Sequence, residues 1–236
     1  MDDYLTRTEM LIGKDAVERL ARSRVAVFGL GGVGGYVTET LARTGVGSLD
    51  LIDSDTVALS NLNRQIIATR DTVGEKKTEA MKRRVLSINP GCTIRTWDLF
   101  YLPETRDMFN FRDYDYVVDA VDTVAAKLSL IEEAQKTGTR IISSMGAGNK
   151  LDATLFRVAD IYSTSVDPLA RVIRTECRKR GIRKLKVVYS TEKPITPLFT
   201  EETSSRRSTP ASIAFIPSVC GLIIAGEVIK DLIEAQ

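Results

Sequence analysis

A glycine-rich turn is the first feature of the chain that could do chemistry. The residues from Gly29 to Gly34 read GLGGVG, which fits the pattern G-x-G-x-x-G. Glycines let a turn adopt positive φ and approach a phosphate closely, and a helix that begins there adds partial positive charge. Asp53 ends the next predicted strand, where a carboxylate can hold ribose hydroxyls. A nucleotide-binding site is predicted, although the pattern does not distinguish ATP from NAD, at Gly29, Gly31, Gly32, Gly34 and Asp53.

Three further motifs follow the glycine turn. The chain reads DSDTVALSNLNRQ over 53–65, GEKK over 74–77 and DAVDT over 119–123. Together with the turn, they resemble the motifs of the ThiF, MoeB and HesA adenylating enzymes, the family that includes the ubiquitin-activating enzymes. The resemblance covers about residues 4–230. It implies that the chain binds ATP and activates a carboxylate as an acyl adenylate.

The charged residues of these motifs suit that reaction. A carboxylate must come in line with the α-phosphate of ATP, and negative charge then builds on the phosphate oxygens and the departing pyrophosphate. Arg64 and Lys77 are the candidate cations, and the resemblance implies that Asp122 holds Mg²⁺ or positions the phosphates. One carboxylate suffices because Mg²⁺ takes other ligands from phosphate and water. The remaining predicted ATP-site residues are Asp55, Asn61 and Gln65.

Ordinary structural roles are the alternative for each of these residues taken singly. Arg64 and Lys77 could be surface charges, and Asp122 could cap the helix predicted to begin at residue 124. Arg7 matches an arginine that, in the family, reaches the ATP of the partner subunit. The resemblance therefore implies a homodimer with a catalytic role for Arg7, against the alternative of a solvated arginine.

The residue types that the chain lacks narrow the chemistry. It contains no histidine, which excludes Ser-His-Asp and Cys-His mechanisms. Its three cysteines, Cys92, Cys177 and Cys220, form no C-x-x-C pair, so the four-cysteine zinc site of many carrier-protein members is excluded. The polar segment 191–212, predicted to be a mobile loop, has no cysteine for thioester transfer. Cys177 lies in a basic segment, where a thiolate would be favoured.

Four other segments resemble one branch of the family, the tRNA threonylcarbamoyladenosine dehydratases. They read RTEMLIG over 7–13, LARTGVG over 41–47, SMGAG over 144–148 and DPLAR over 167–171. The resemblance implies that the carboxylate of the modified tRNA attacks ATP. A nitrogen or oxygen of the same modification then closes a ring and expels AMP. This intramolecular nucleophile requires no catalytic histidine or cysteine.

A dense run of positive charge lies between residues 171 and 186. The net charge of the whole chain is only +2, but this run holds eight basic residues against one acidic residue, Glu176. We predict that it contacts the phosphates of an anticodon stem-loop that carries the modified adenosine, with help from Arg206 and Arg207. A solvated helix face or an acidic protein partner is the alternative. The basic residues are Arg171, Arg174, Arg178, Lys179, Arg180, Arg183, Lys184 and Lys186.

Other functions and partners stay open from the sequence. The chain could adenylate the C-terminal glycine of a ubiquitin-like sulfur-carrier protein, or it could be a nucleotide sensor or an NAD-dependent oxidoreductase. A sulfur-relay protein is a further candidate partner. The sparse cysteines and the acidic start MDDY predict a cytoplasmic protein without a secretory signal. The apolar run 213–229 contains a proline and a glutamate and is short for a membrane span, so we predict a buried helix and no membrane contact.

The order of predicted elements explains how these motifs come together. Strands over 24–28, 49–52, 93–97, 116–120 and 140–144 alternate with helices, which predicts an α/β fold with a doubly wound, Rossmann-like, mostly parallel sheet. Strands over 155–161 and 186–190 predict an antiparallel C-terminal extension around the basic helix, before a last helix over 214–234. We predict a single ThiF-like adenylating domain over 1–236. Its nucleotide-binding core spans about 15–145 and its substrate-binding portion about 146–236.

Overall fold

A computed structural model describes residues 3–199 and 210–234. Within these residues, strands and helices alternate as the sequence predicts. The helices are α1 (Thr6–Ile12), α2 (Lys14–Arg22), α3 (Gly34–Arg43), α4 (Lys77–Ile88), α5 (Val124–Thr137), α6 (Pro168–Lys179) and α7 (Phe215–Glu234). The strands are β1 (Arg24–Phe28), β2 (Ser48–Ile52), β3 (Thr93–Trp97), β4 (Tyr116–Asp119), β5 (Arg140–Ser144), β6 (Phe156–Asp160) and β7 (Lys186–Ser190).

The strands of the described chain form one sheet in the order β3-β2-β1-β4-β5-β7-β6. Every neighbouring pair is parallel except β6 and β7, which are antiparallel at one edge. This confirms the predicted doubly wound, Rossmann-like sheet with an antiparallel extension. Phe28 at the end of β1 lies opposite Ile52 of β2 and Asp119 of β4. The carboxyl ends of these three neighbouring strands therefore lie at one edge of the sheet.

Side chains of the central strands alternate between two buried clusters, one on each face of the sheet. In β1, Val25 and Val27 belong to one cluster and Ala26 and Phe28 to the other. The first cluster packs against α3, α4 and α7, and the second against α5 and α6. Burial on both faces explains why these strands are continuous apolar runs, as in other parallel sheets. No helix in the described residues is long and apolar enough to cross a bilayer.

The structure differs from the prediction mainly at two places. Helix α1 was not predicted, because none of its side chains is buried and its apolar residues Met10 and Leu11 are exposed. Helix α4 begins at Lys77 rather than at Glu75, since the Glu75 carbonyl accepts a hydrogen bond from Val57 and the residue after it bridges to Thr56. Backbone pairing with the preceding loop thus delays the helix by two residues.

The predicted thiolate at Cys177 is wrong. The side chain is fully buried on the inner face of α6, and burial raises the pKa of its thiol to about 11. Desolvation disfavours the charged form more than the neighbouring Arg180 favours it. Cys92 and Cys220 are buried as well, so all three cysteines are core residues.

Candidate active site

A cleft of about 370 Å³ opens at the carboxyl ends of β1, β2 and β4. Ligands bind at this edge in open parallel sheets, because loops from neighbouring strands diverge there. Two of the residues predicted for nucleotide binding or catalysis, Gly34 and Arg7, do not line the cleft. The others do: Gly29, Gly31, Gly32, Asp53, Asp55, Asn61, Arg64, Gln65, Lys77 and Asp122.

The glycine turn separates β1 from α3 and forms the floor of the cleft. Gly29 has φ of +89°, and a Cβ there would lie 2.7 Å from the carbonyl oxygen of Ala120. Gly34 packs against the carbonyl of Gly29, so its hydrogen side chain serves the start of α3 rather than the ligand. At Gly31 a Cβ would meet only one side-chain atom within 4 Å, Nε2 of Gln65 at 3.9 Å. Because Gly31 lines the cleft without such a crowded backbone contact, a phosphate can approach the turn there.

Asp53 fastens the glycine turn to the end of β2. Its Oδ2 accepts a hydrogen bond of 2.7 Å from the backbone N–H of Leu30, and its Oδ1 accepts one of 2.8 Å from that of Asp55. Each carboxylate oxygen can accept more than one hydrogen bond. Asp53 can thus shape the turn and still accept hydrogen bonds from ribose hydroxyls.

Lys77 is a buried cation at the wall of the cleft. Its side chain is 6% exposed, and Nζ lies 2.7 Å from Oδ2 of Asp55 and 3.8 Å from Oδ1 of Asp53. The main chain of α4 is joined to the same loop, because Lys77 N donates to the carbonyl of Asp55. Asp55 itself is 62% exposed. The ammonium is therefore fixed in position by a carboxylate that solvent or a ligand can reach.

Three polar side chains in the loop after β2 face the same cleft. Arg64 donates from Nη1 to the carbonyl of Ser60 at 3.0 Å and to Oδ1 of Asn63 at 2.8 Å, which orients its guanidinium. Asn61 accepts from the N–H of Ala58 at 3.1 Å, leaving its amide N–H groups as donors. Gln65 has a buried Oε1 without a hydrogen-bond partner in the described structure. Because buried polar atoms are nearly always paired, that oxygen is a ready acceptor for a ligand.

Asp122 follows β4 and is exposed at the rim of the cleft. It does not cap α5, whose N-cap residue is Thr123, so that alternative is wrong. It accepts a hydrogen bond of 3.3 Å from the Thr123 hydroxyl, and no cation of the described chain lies within 4 Å. The described residues contain no group of three or more His, Cys, Asp or Glu side chains that could hold a metal. One free carboxylate at the rim of the cleft fits Mg²⁺, which needs few protein ligands when phosphates supply the rest.

Sequence analysis missed the residues that set the position of Asp122. Lys127 and Asp119 are 1% and 0% exposed and form an ion pair of 3.0 Å beneath the cleft. Lys127 also donates to the carbonyl of Ser144 at 2.7 Å, and Ser143 donates to Asp119. Asp119 accepts from the N–H of Val121, within the turn that carries Asp122. Asp119 is the first residue of the DAVD motif, and this position could have indicated its role.

An aromatic wall was also missed. Leu99, Phe100 and Tyr101 follow β3 and line the cleft. Tyr101 packs edge-on against Phe28 with ring centroids 4.9 Å apart, and its hydroxyl is hydrogen-bonded to Ser129 at 3.1 Å. The wall offers an apolar surface for a nucleobase. These residues carry no motif, but their place after the carboxyl end of a strand could have indicated them.

The basic run does not line the cleft. The later residues of the run lie just before β7 or at its first residue, at the amino end of this strand. Because β7 is parallel to β5, its amino end lies at the edge of the sheet opposite the cleft. Several of its residues bind other side chains: Lys179 and Arg180 pair with Glu176, Arg174 donates to Thr164, and Arg178 lies over the ring of Tyr162. Arg171, Arg183 and Lys184 are exposed and form no ion pair within the described chain.

Lys186 belongs to an ion cluster that joins β7 to α7. It pairs with Asp231 at 2.8 Å and with Glu227 at 3.2 Å. Partial burial lowers the pKa of Lys186, but the hydrogen bonds that its ammonium donates to the two carboxylates raise the pKa above its ordinary value overall. A structural role for Lys186 is therefore clear. Arg206 and Arg207 lie outside the described residues, and Arg7 is exposed on α1.

Comparison with known proteins places this geometry in a family. The chain matches the ThiF family over residues 5–236. It is 44% identical to a tRNA threonylcarbamoyladenosine dehydratase of Bacillus subtilis (strain 168), across 97% of this chain and 94% of the relative. It is 38% identical to that of Escherichia coli (strain K12), across 80% of this chain and 74% of the relative.

Solved structures agree. The crystal structures of the E. coli tRNA N6-threonylcarbamoyladenosine dehydratase TcdA in complex with AMP and with ATP each superpose with a TM-score of 0.89 and 32% identity, covering 98% of this chain and 96% of TcdA. The match extends over nearly the full length of both chains. The family match and the close relatives lead to one conclusion: this chain belongs to the ThiF family.

Proposed function

We propose that this chain is an ATP-dependent dehydratase that cyclises N6-threonylcarbamoyladenosine in tRNA through an acyl adenylate. One observation carries the proposal. The cleft gathers an open glycine turn, two positioned cations and an uncompensated carboxylate, and its described lining contains neither histidine nor cysteine. Such a site can transfer AMP to an acid, but it offers neither a cysteine thiolate nor a nucleophile activated by histidine. The names of the close relatives supply the substrate.

The residues of the cleft divide the work of the first step. Backbone N–H groups of the glycine turn bind the phosphates, while Lys77 and Arg64 offset the charge that builds on the phosphate oxygens. A carboxylate oxygen of the substrate forms a bond to the α-phosphorus of ATP as the bond to pyrophosphate breaks. The aromatic wall at Tyr101 holds the base, and Asp53 the ribose.

Ring closure completes the reaction without a protein nucleophile. A nitrogen or oxygen of the same modification attacks the acyl carbon, the carbon–oxygen bond to AMP breaks, and one proton is released. One carboxylate oxygen thus leaves with AMP, which accounts for the loss of water from the substrate. Because both reacting groups belong to one molecule, the entropic part of the activation barrier is lowered without a catalytic residue.

Asp122 is the residue that we propose holds Mg²⁺, together with phosphate oxygens of ATP. The ion, when bound, would withdraw charge from those phosphates. Asp119 and Lys127 act beneath it by fixing the turn. Their role is to position Asp122, because both side chains are buried away from the cleft.

The other predicted partners fit this function as further proposals. Arg171, Arg183 and Lys184 are the best candidates for tRNA phosphates, because their charges are not used within the described chain. We also propose a homodimer in which Arg7 reaches the partner subunit's cleft, in a single adenylating domain whose residues from about 146 bind substrate. We propose the cytoplasm as its location, since tRNA is found there. No surface is assigned to a sulfur-relay protein.

Incubation with ATP, Mg²⁺ and tRNA that carries threonylcarbamoyladenosine tests the function. We expect nucleoside mass spectrometry to show loss of one water with release of AMP. An unchanged nucleoside, together with pyrophosphate exchange that depends on a sulfur-carrier protein and is indifferent to tRNA, would favour carrier-protein adenylation instead. Unmodified tRNA is the control and is expected to release no AMP.

A further inference from the structure

A residue with left-handed backbone precedes each member of one buried ion pair. Among the described residues, the non-glycine positions with φ in the left-handed region are Asn149, at +58°, and Val166, at +64°. Each directly precedes one member of the pair Lys150–Asp167, whose side chains are 2% and 0% exposed. Positive φ is rare for a β-branched residue, and such strain persists where the surrounding structure holds it. The fold therefore holds the backbone before Asp167 in place at a conformational cost, while asparagine adopts this conformation readily before Lys150.

Hydrogen bonds hold the left-handed backbone of Asn149 next to Lys150. Asn149 N donates to the carbonyl of Ala211 at 2.7 Å, and Asn149 Oδ1 accepts from Ala211 N at 2.7 Å. The carbonyl of Asn149 also accepts from Ile195 N at 2.8 Å. These bonds tie two segments of chain to Asn149 and fix the start of the Lys150 side chain.

Lys150 lies in the wall of a second cavity of about 680 Å³. This cavity and the nucleotide cleft share Pro210 and Ser212 in their walls, so they are adjacent. Most of the remaining wall is apolar, with Leu151, Ile195 and Leu198 among its residues. Lys150 is the one charged residue in the described wall, so a ligand that extends from the nucleotide cleft into this cavity would approach its side chain.

The Lys150 ammonium donates no hydrogen bond within the described structure. Its Nζ lies 3.9 Å from Oδ2 of Asp167, beyond hydrogen-bond length, and no described residue accepts a shorter hydrogen bond from it. Asp167 uses Oδ1 to accept the N–H of Ala170 at the start of α6, while its Oδ2 has no hydrogen-bond partner in the described structure. Buried charges without hydrogen bonds are costly, so this pair is incomplete without a ligand or water.

We propose that Lys150 binds the carboxylate of the acyl substrate in the second cavity and that Asp167 positions the lysine. The inference rests on the proposed function and names the residue that selects an acid over a neutral analogue. The carboxylate attacks ATP as an anion, and Lys150 supplies the opposite charge beside the nucleotide cleft. Asp167 faces the ammonium at 3.9 Å as its only carboxylate within 4 Å in the described chain. A Cβ on Gly146 would lie 3.1 Å from Oδ2 of Asp167, so a glycine at this position leaves room for the carboxylate.

Binding of two matched RNAs tests the role of Lys150. One anticodon stem-loop carries threonylcarbamoyladenosine, and the other carries the same group with its carboxylate replaced by a carboxamide. Binding is measured in the presence of a non-hydrolysable ATP analogue. The wild-type protein is expected to prefer the acid by about 10- to 100-fold, the value of one charge-assisted hydrogen bond.

Lys150→Met is expected to remove this preference while ATP binding stays unchanged. Lys150→Arg should keep it in part, and Lys136→Met, on a side chain that is 72% exposed, should keep it fully. If Lys150→Met does not fold, Lys150→Met with Asp167→Asn removes both buried charges and gives the same test.

The outcomes separate this inference from the proposed function. A Lys150→Met protein that still prefers the acid overturns the inference, as does equal weakening for both RNAs, which would indicate a tRNA phosphate as the partner. A wild-type protein that releases no AMP with modified tRNA overturns the proposed function instead.

Discussion

Gly34 and Gly29 touch so closely that a Cβ on Gly34 would overlap the carbonyl oxygen of Gly29. That contact lets α3 begin directly under the turn and aims its amino end at the cleft. A Cβ on Gly31, two residues after Gly29, would meet only Nε2 of Gln65, at 3.9 Å. The glycines of this motif therefore have different roles: Gly34 is needed for the packing of the turn against α3, and Gly31 leaves room for the ligand.

Alanine substitutions should distinguish the structural role of Gly34 from the ligand-binding role of Gly31. Gly34→Ala is expected to prevent folding, since a backbone atom cannot move away as a flexible side chain can. Gly31→Ala should fold with a Tm close to that of the wild-type protein. It should lose the stabilisation that ATP gives, because the new methyl group would lie where a phosphate approaches the turn. Thermal unfolding with and without ATP measures both effects. A Gly31→Ala protein that ATP still stabilises normally would contradict the assignment.

The two cations of the cleft should matter for catalysis more than for folding. Lys77→Met is expected to lower the rate of AMP release by about 100- to 1,000-fold, the usual effect of removing one group that stabilises transition-state charge. Arg64→Ala should behave alike, since its guanidinium bonds only to Ser60 and Asn63 in the described chain. Lys76→Met, at the exposed neighbouring lysine, is the matched control. Equal rates in the Lys77 and Lys76 variants would refute the role of Lys77.

Asp122 should control the response to magnesium. Asp122→Asn is expected to raise the Mg²⁺ concentration needed for half-maximal AMP release and to lower the maximal rate, because a neutral amide is a poorer ligand. Chelation by EDTA should stop the wild-type reaction. Asp107→Asn, at a side chain that is 91% exposed, is the control. An unchanged Mg²⁺ dependence in Asp122→Asn would assign the metal elsewhere.

The free and paired members of the basic run should behave differently. Neutralising Arg171, Arg183 and Lys184 together is expected to weaken tRNA binding and to reduce its dependence on salt, since phosphate contacts release counterions. Lys186→Met should instead lower the free energy of unfolding by about 1–2 kcal/mol, between the values for exposed and buried pairs. Filter binding at several salt concentrations and denaturant unfolding measure these effects. Unchanged tRNA affinity in the triple variant would show that these three residues do not contact the tRNA phosphates.

Local patterns predicted most of the fold. The strands at 24–28, 93–97, 140–144 and 186–190 have the predicted bounds, because each is a compact run between turn residues. Helix α1 escaped prediction since it buries no side chain, and periodicity reports burial. The bridge between Thr56 and Lys76 depends on a contact that no local pattern encodes, so the start of α4 could not be placed.

The candidate site was predictable to the extent that its residues lie in motifs. Glycines, Asp53, Arg64, Lys77 and Asp122 have recognisable spacing, and the sheet brings them to one edge. Tyr101 and Lys127 reach the site through tertiary packing, and sequence gives no spacing rule for either. The charge density of the basic run likewise does not predict which of its residues form ion pairs. Lys186, for example, pairs with Glu227 and Asp231, which lie far along the chain.

The fate of the carboxylate oxygen tests the acyl adenylate most directly. Modified tRNA whose threonyl carboxylate is labelled with heavy oxygen is incubated with the wild-type protein, ATP and Mg²⁺, and the AMP is examined by mass spectrometry. One labelled oxygen is predicted in AMP for each ring formed, because the bond to AMP breaks on the carbon side of that oxygen. Ring formation with unlabelled AMP, or with the label in inorganic phosphate, would contradict activation by adenylation.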